Sequence, residues 1–239
     1  MSFFPDERHA MGRCFATQTA VLSPEHAIAR WAQQYSPDRL SFSDKHSEAL
    51  ALLMPLLLCG EQSAQLVFQQ QAKNLEQHSN ALSIKALNEV EADEAWHDEA
   101  LQWVFSQLPE LAQQHKVRRS AQRFYSGLGR SLSLQQQFIR IASLDACVTQ
   151  LMQMIERGTI GKNHPFSQLC GLIKKDEAKH VYVSKHFAQD LGASVQDMAE
   201  ERLLVLQKLM TLLSSQAQQF EIIGVDLDQL QQRLELKWR

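Results

Sequence analysis

The chain has 239 residues, 44% hydrophobic and 21% charged, with nine Gly, six Pro and a net charge of −3. That composition excludes a disordered chain and fits one globular domain, residues 1–239, long enough to bury a sizeable core. Slight acidity and the lack of a basic face argue against a nucleic-acid partner, and "MSFFPDERHA" lacks the basic start and apolar run of a secretion signal.

No segment alternates with the period of two that a strand requires, and the pattern is helical nearly throughout. "SPEHAIARWAQQY" (23–35) predicts a helix with Pro24 at its first position. A long helix follows over 43–77. Its stretch "ALALLMPLLLCG" (49–60) is too short to cross a bilayer, so no membrane partner is expected. The turn "HSN" (78–80) leads to a second helix ending near Gln107, before Pro109. A short helix covers 110–126, with "KVRR" (116–119) read as a solvated turn and "SGLGR" (126–130) as a joint. The third long helix spans 131–157 and the fourth runs from Pro165 to about Leu191, closed by Gly192. Helices near 194–218 and 226–238 finish the chain. In the last, Leu227, Leu230, Leu234 and Trp238 form an apolar face for the bundle or for a second subunit, making a homodimer. The fold class expected is all-α: an antiparallel four-helix bundle over about 45–190 with accessory helices at both ends. Cys14, Cys59, Cys147 and Cys170 form no C-x-x-C pair and read as reduced thiols of a cytoplasmic protein.

Two segments repeat five letters almost unchanged, DEAWH (93–97) and DEAKH (176–180). Residues three and four apart share a helix face, so each apolar stripe can be walked. The second helix gives Ile84, Leu87, Val90, Glu94, His97, Leu101 and Val104, and the fourth gives Phe166, Cys170, Ile173, Glu177, His180, Ser184 and Phe187. Glu61 interrupts the stripe of the first helix between Leu57 and Phe68, and Asp145 that of the third between Ile141 and Met152. Residues of an antiparallel hairpin lie level when their midpoint falls in the turn. That condition pairs Glu61 with Glu94 and Asp145 with Glu177, and excludes Glu156. The halves repeat as well: 84 residues separate Glu61 from Asp145, and 83 separate both Glu94 from Glu177 and His97 from His180.

Four ionised carboxylates in one core demand compensation, because an unpaired buried charge costs many kcal/mol. No Lys or Arg interrupts these stripes. Two divalent cations would neutralise the four acids, and oxygen-rich ligation with one imidazole per ion suits iron or manganese better than zinc.

One acid on each of two helices and Glu-x-x-His on each of the other two resembles the dimetal carboxylate proteins of the ferritin-like superfamily. The resemblance covers about residues 45–190. It implies one iron on Glu61, Glu94 and His97, and another on Asp145, Glu177 and His180. Glu94 and Glu177 would bridge, and a Mn–Fe pair is the alternative to two Fe ions. Asp93 and Asp176 resemble the outer acids that accept a hydrogen bond from an opposing ligand His. Asp145 replaces the commoner Glu, a shorter arm that leaves room for an open coordination position.

Among branches of that superfamily, Leu101 stands where the radical-bearing ribonucleotide reductase subunit has a Tyr, and no Cys-rich module of a rubrerythrin is present. The p-aminobenzoate N-oxygenases share the paired D-E-x-x-H motifs but add a His where this chain has Ile173. The resemblance implies an oxygenase or oxidase that activates O2 against a small organic substrate. A reductase or ferredoxin would supply the electrons. The rival is a non-catalytic or iron-handling protein on the same bundle. Small residues beside the ligands (Ala64, Ala142, Ala146, Gly171) would leave space for substrate or for close helix packing. Trp96 and Tyr182 read as packing residues, and the Gln tracts at 69–71 and 135–137 as solvated faces.

Overall fold

The computed structural model describes residues 3–4, 12–17, 22–76, 81–130 and 132–237, and all regular structure among them is helical. The helices are α1 (Ala27–Tyr35), α2 (Asp44–Glu76), α3 (Ala81–Ser106), α4 (Gln114–Leu128), α5 (Leu134–Glu156), α6 (Pro165–Asp190), α7 (Val195–Ser214), α8 (Ala217–Ile222) and α9 (Leu227–Lys237). The chain divides into two compact units, Met1–Gln122 and Arg123–Arg239, with the division inside α4.

In the first unit α2 and α3 pair along their lengths and α1 lies on α3. Leu50, Met54 and Phe68 of α2 are buried, as are Leu87, Leu101 and Val104 of α3. The stripes walked in the sequence are therefore the faces removed from water, and that burial holds the pair together. The turn "HSN", with His78, lies outside the described residues. Pro55 sits inside α2 without ending it. The 49–60 stretch alone is shorter than a membrane span, but the part of α2 containing it, Asp44–Asn74, is long and apolar enough to cross a bilayer. Of its most apolar window, 67% is buried within the protein.

Three expectations for this unit are corrected. Helix α1 begins at Ala27 and not at Pro24, because His26 is the cap: its Nδ1 accepts from the amide of Ile28 at 3.2 Å. "KVRR" is no turn, since residues 116–119 lie inside α4 with Val117 buried, and Ser126–Leu128 of the expected joint are helical too. Cys14 and Cys59 are joined by a disulfide, leaving only Cys147 and Cys170 as free thiols. A separation of 45 positions between Cys14 and Cys59 carries no spacing signal, so pairing that depends on chain return was invisible to a spacing argument.

In the second unit α5 and α6 form the corresponding pair, α7 packs on α5, and α9 packs on both α7 and α5. Ser133 and Gln136 make a capping box that starts α5, and His164 with Pro165 starts α6. Gly192 closes α6 with φ +88°, as expected of a C-terminal glycine. The expected helix 194–218 is instead α7 followed by the separate α8. Leu230 and Leu234 are fully buried, so α9 spends its apolar face on its own unit; Trp238 lies outside the described residues. Where the α5–α6 turn meets the α8–α9 turn, the Thr159 amide donates to the Ile223 carbonyl at 3.1 Å.

Candidate metal centre

The first unit brings Glu61, Glu94 and His97 together in its interior. Nδ1 of His97 lies 3.0 Å from Glu61 Oε2 and 3.7 Å from Glu94 Oε2. Glu94 and His97 are one helical turn apart on α3, and the pairing of α2 with α3 puts Glu61 level with them. Glu94 is 1% exposed and His97 0%. The ligand atoms of the three lie within 4.8 Å of one another, a spacing that can hold a metal ion.

The second unit repeats the arrangement with Asp145, Glu177 and His180, whose ligand atoms also lie within 4.8 Å of one another. Nδ1 of His180 stands 3.8 Å from Glu177 Oε2, with Glu177 2% exposed and His180 0%. Nδ1 faces both glutamates in the first triad and Glu177 in the second, and one imidazole and two carboxylates converge in each. A buried set of hard oxygen donors with one borderline nitrogen fits a divalent transition ion in each triad. Glu156, excluded by register, is engaged elsewhere: it pairs with Lys174 and abuts Gly171. A Cβ at Gly171 would stand 2.9 Å from Glu156 Oε1, so that glycine makes room for Glu156 rather than for substrate.

The outer acids have partners of their own. Asp93 accepts from Nε2 of His26 at 3.1 Å, while Asp176 pairs with Lys179 at 2.6 Å. Because Nδ1 of His26 accepts the Ile28 amide, its proton belongs on Nε2, facing Asp93. The same imidazole stacks on Trp96 with ring centroids 5.7 Å apart, and Phe3 meets Trp96 edge-on at 4.7 Å. Trp96 therefore packs against the start of α1. Tyr182 does not pack inside: it is exposed and stacks with His186.

His26 escaped the sequence reading, since nothing in spacing joins it to Asp93 across 67 residues; a His just ahead of a helix was its one available signal, as a cap. Gln62 and Asp98 also went unread. Each directly follows a candidate ligand, both are buried, and Gln62 Nε2 donates to Asp98 Oδ1 at 2.6 Å. Burial pushes the Asp98 carboxyl up to about 6, against the pull of Arg13, whose guanidinium lies 2.9 Å away, and of the Gln62 hydrogen bond. Gln71 is likewise buried, and Gln65 and Gln69 both donate to Glu91, so the first Gln tract is not wholly a solvated face. Burial, and then the charge of Asp145, push the Cys147 thiol up, so it stays protonated as a small buried hydrophobe.

No family model, curated protein or solved structure matches this chain.

Proposed function

We propose that each triad holds an iron ion, two per chain, and that the chain is a dimetal carboxylate protein of the ferritin-like kind. On this reading the chain is an O2-activating oxidoreductase acting on a small organic substrate. What supports the reading is that each unit independently buries two carboxylates beside an imidazole Nδ1, on equivalent helix pairs offset by 83–84 residues. Two such triads without cations would concentrate four acids away from water, and divalent ions are the natural counter-charge. When bound, a ferrous pair supplies the electrons that activate dioxygen.

Glu61 and Glu94 in the first triad and Asp145 and Glu177 in the second would serve as carboxylate ligands, with His97 and His180 as the nitrogen donors. Burial of the triads keeps bulk water from the reacting atoms. The hydrogen bond from His26 holds Asp93, and that from Lys179 holds Asp176, so each outer acid has a set orientation beside a ligand Glu. A cytoplasmic location and an external electron donor, a reductase or ferredoxin, belong to the same proposal.

Metal analysis of protein reconstituted anaerobically with Fe2+ tests it, with two ions per chain expected. Far fewer would retire the dinuclear reading. Two ions bound without O2 consumption on mixing would favour an iron-handling role.

A further inference from the structure

The segment 12–17 is neither helix nor strand, yet the structure ties it to the flank of the α2–α3 pair at the level of the first triad. Cys14 is bonded to Cys59, two residues before Glu61. The amides of Cys14 and Phe15 both donate to Gln62 Oε1, at 2.6 and 3.2 Å, and Gln62 in turn donates to Asp98, next to His97. Arg13 reaches Asp98 at 2.9 Å and Glu99 at 2.7 Å. From the other side, α4 holds the segment through Gln122 Nε2 on the Cys14 carbonyl at 2.6 Å and Arg118 on the Arg13 carbonyl. A buried Gln–Asp seam between two helices is thus roofed by six residues of irregular chain.

The seam needs that roof. Gln62 and Asp98 have no exposure; the segment supplies two amides to Gln62 Oε1 and the Arg13 guanidinium to Asp98, to which Gln102 also donates. The roof, however, has little apolar anchorage of its own: none of residues 12–17 is fully buried, and Arg13 stands 36% exposed. Its Arg13–Glu99 ion pair is open to screening, while the Arg13–Asp98 pair is shielded on the Asp98 side alone. The covalent bond is therefore the dominant tie, and Cys14 is the more exposed of its two sulfurs.

We infer that residues 12–17 are a redox-released strap: reduction of Cys14–Cys59 frees them and opens the Gln62–Asp98 seam beside the Glu61–His97 half-site. The reductant is a dithiol of the kind that keeps cytoplasmic thiols reduced. Its thiolate attacks Cys14 Sγ, and the Cys59 sulfur leaves with the bonding pair and takes a proton. The second thiol of the reductant then displaces Cys14 as a thiol. Two electrons and two protons pass to the protein, and the dithiol becomes a disulfide. Disulfides in a reducing compartment are characteristically transient and redox-sensing, which fits the cytoplasmic location proposed above. Only the link to metal access rests on the proposed dinuclear centre.

The test uses metal-free full-length protein, oxidised, reduced with dithiothreitol, and as the Cys14→Ser variant. Denatured, unreduced wild-type protein should show two free thiols, rising to four on reduction; four at the outset would overturn the inference. Hydrogen exchange of the amides of Cys14 and Phe15 should quicken about 100-fold on reduction while helical circular dichroism is unchanged. Unchanged protection in both the reduced protein and Cys14→Ser would show that the polar contacts hold the strap unaided. Loss of helical signal would make the bond a fold staple. Either result overturns the inference. Co2+ uptake followed by absorbance should be faster in the reduced form, and equal rates would refute the link to access. If neither form binds Co2+, the metal reading fails instead, and exchange alone decides the strap.

Discussion

Glu156 lies eleven residues, about three turns, beyond Asp145 on α5, and that offset puts it in an ion pair with Lys174 and not in the buried triad with Glu177. The Glu177→Ala variant should lose more than the roughly 100-fold in Fe2+ affinity that an outer partner's loss costs, whereas Glu156→Ala should bind as wild type by isothermal titration. Equal affinities would refute the ligand assignment. Asp98 makes the second prediction at this scale. Its folded pKa of about 6 exceeds the ordinary value of 3.8, so the folded state holds its proton longer than the unfolded one. That contribution favours folding below pH 3.8 and is lost as pH rises through 6. Relative to Asp98→Asn, wild-type protein should lose about 2 kcal/mol of stability between pH 4 and pH 7, measured by urea unfolding of the metal-free proteins. A constant difference across that range would show that Arg13 fully offsets the desolvation of Asp98.

Helices and turns carry the next two predictions. Removing the Cys14–Cys59 bond releases a loop of 45 residues, and chain entropy puts the stabilisation at stake at about 4 kcal/mol. Cys14→Ser should shift the urea midpoint accordingly, with less if the strap's polar contacts persist in the unfolded chain. In the second unit, a Cβ on Gly158 would stand 2.1 Å from the Ile223 carbonyl oxygen, which belongs to the backbone and cannot swing aside. Gly158→Ala should therefore cost about 3 kcal/mol, the upper part of the usual overpacking range, and should loosen the turn that binds α5–α6 to α8–α9. The paired helices were legible because their stripes run unbroken for several turns. The cap at His26 was not, because Ser23-Pro24-Glu25 satisfies the same start rules and only the imidazole's hydrogen bond to the Ile28 amide separates the two.

At the scale of the whole molecule, the proposed centre makes metal a component of stability. Each triad buries two carboxylates that a bound cation would neutralise, so chelation should lower the melting temperature. Ferrous ion at a hundred times its dissociation constant should add about 2.7 kcal/mol. Differential scanning calorimetry with and without a chelator checks both, and a melting temperature indifferent to metal would count against metal in the triads.

Helix content, the stripes, the two Glu-x-x-His pairs and their level acids Glu61 and Asp145 were all determined by the sequence alone. Periodicity and hairpin register are local rules, and six residues at matching offsets satisfy them without any knowledge of the fold. Tertiary structure alone decided the Cys14–Cys59 bond, the Asp93–His26 hydrogen bond and the roof over Gln62 and Asp98. Those contacts join segments dozens of residues apart through single side chains, and chain return leaves no periodic trace in the letters.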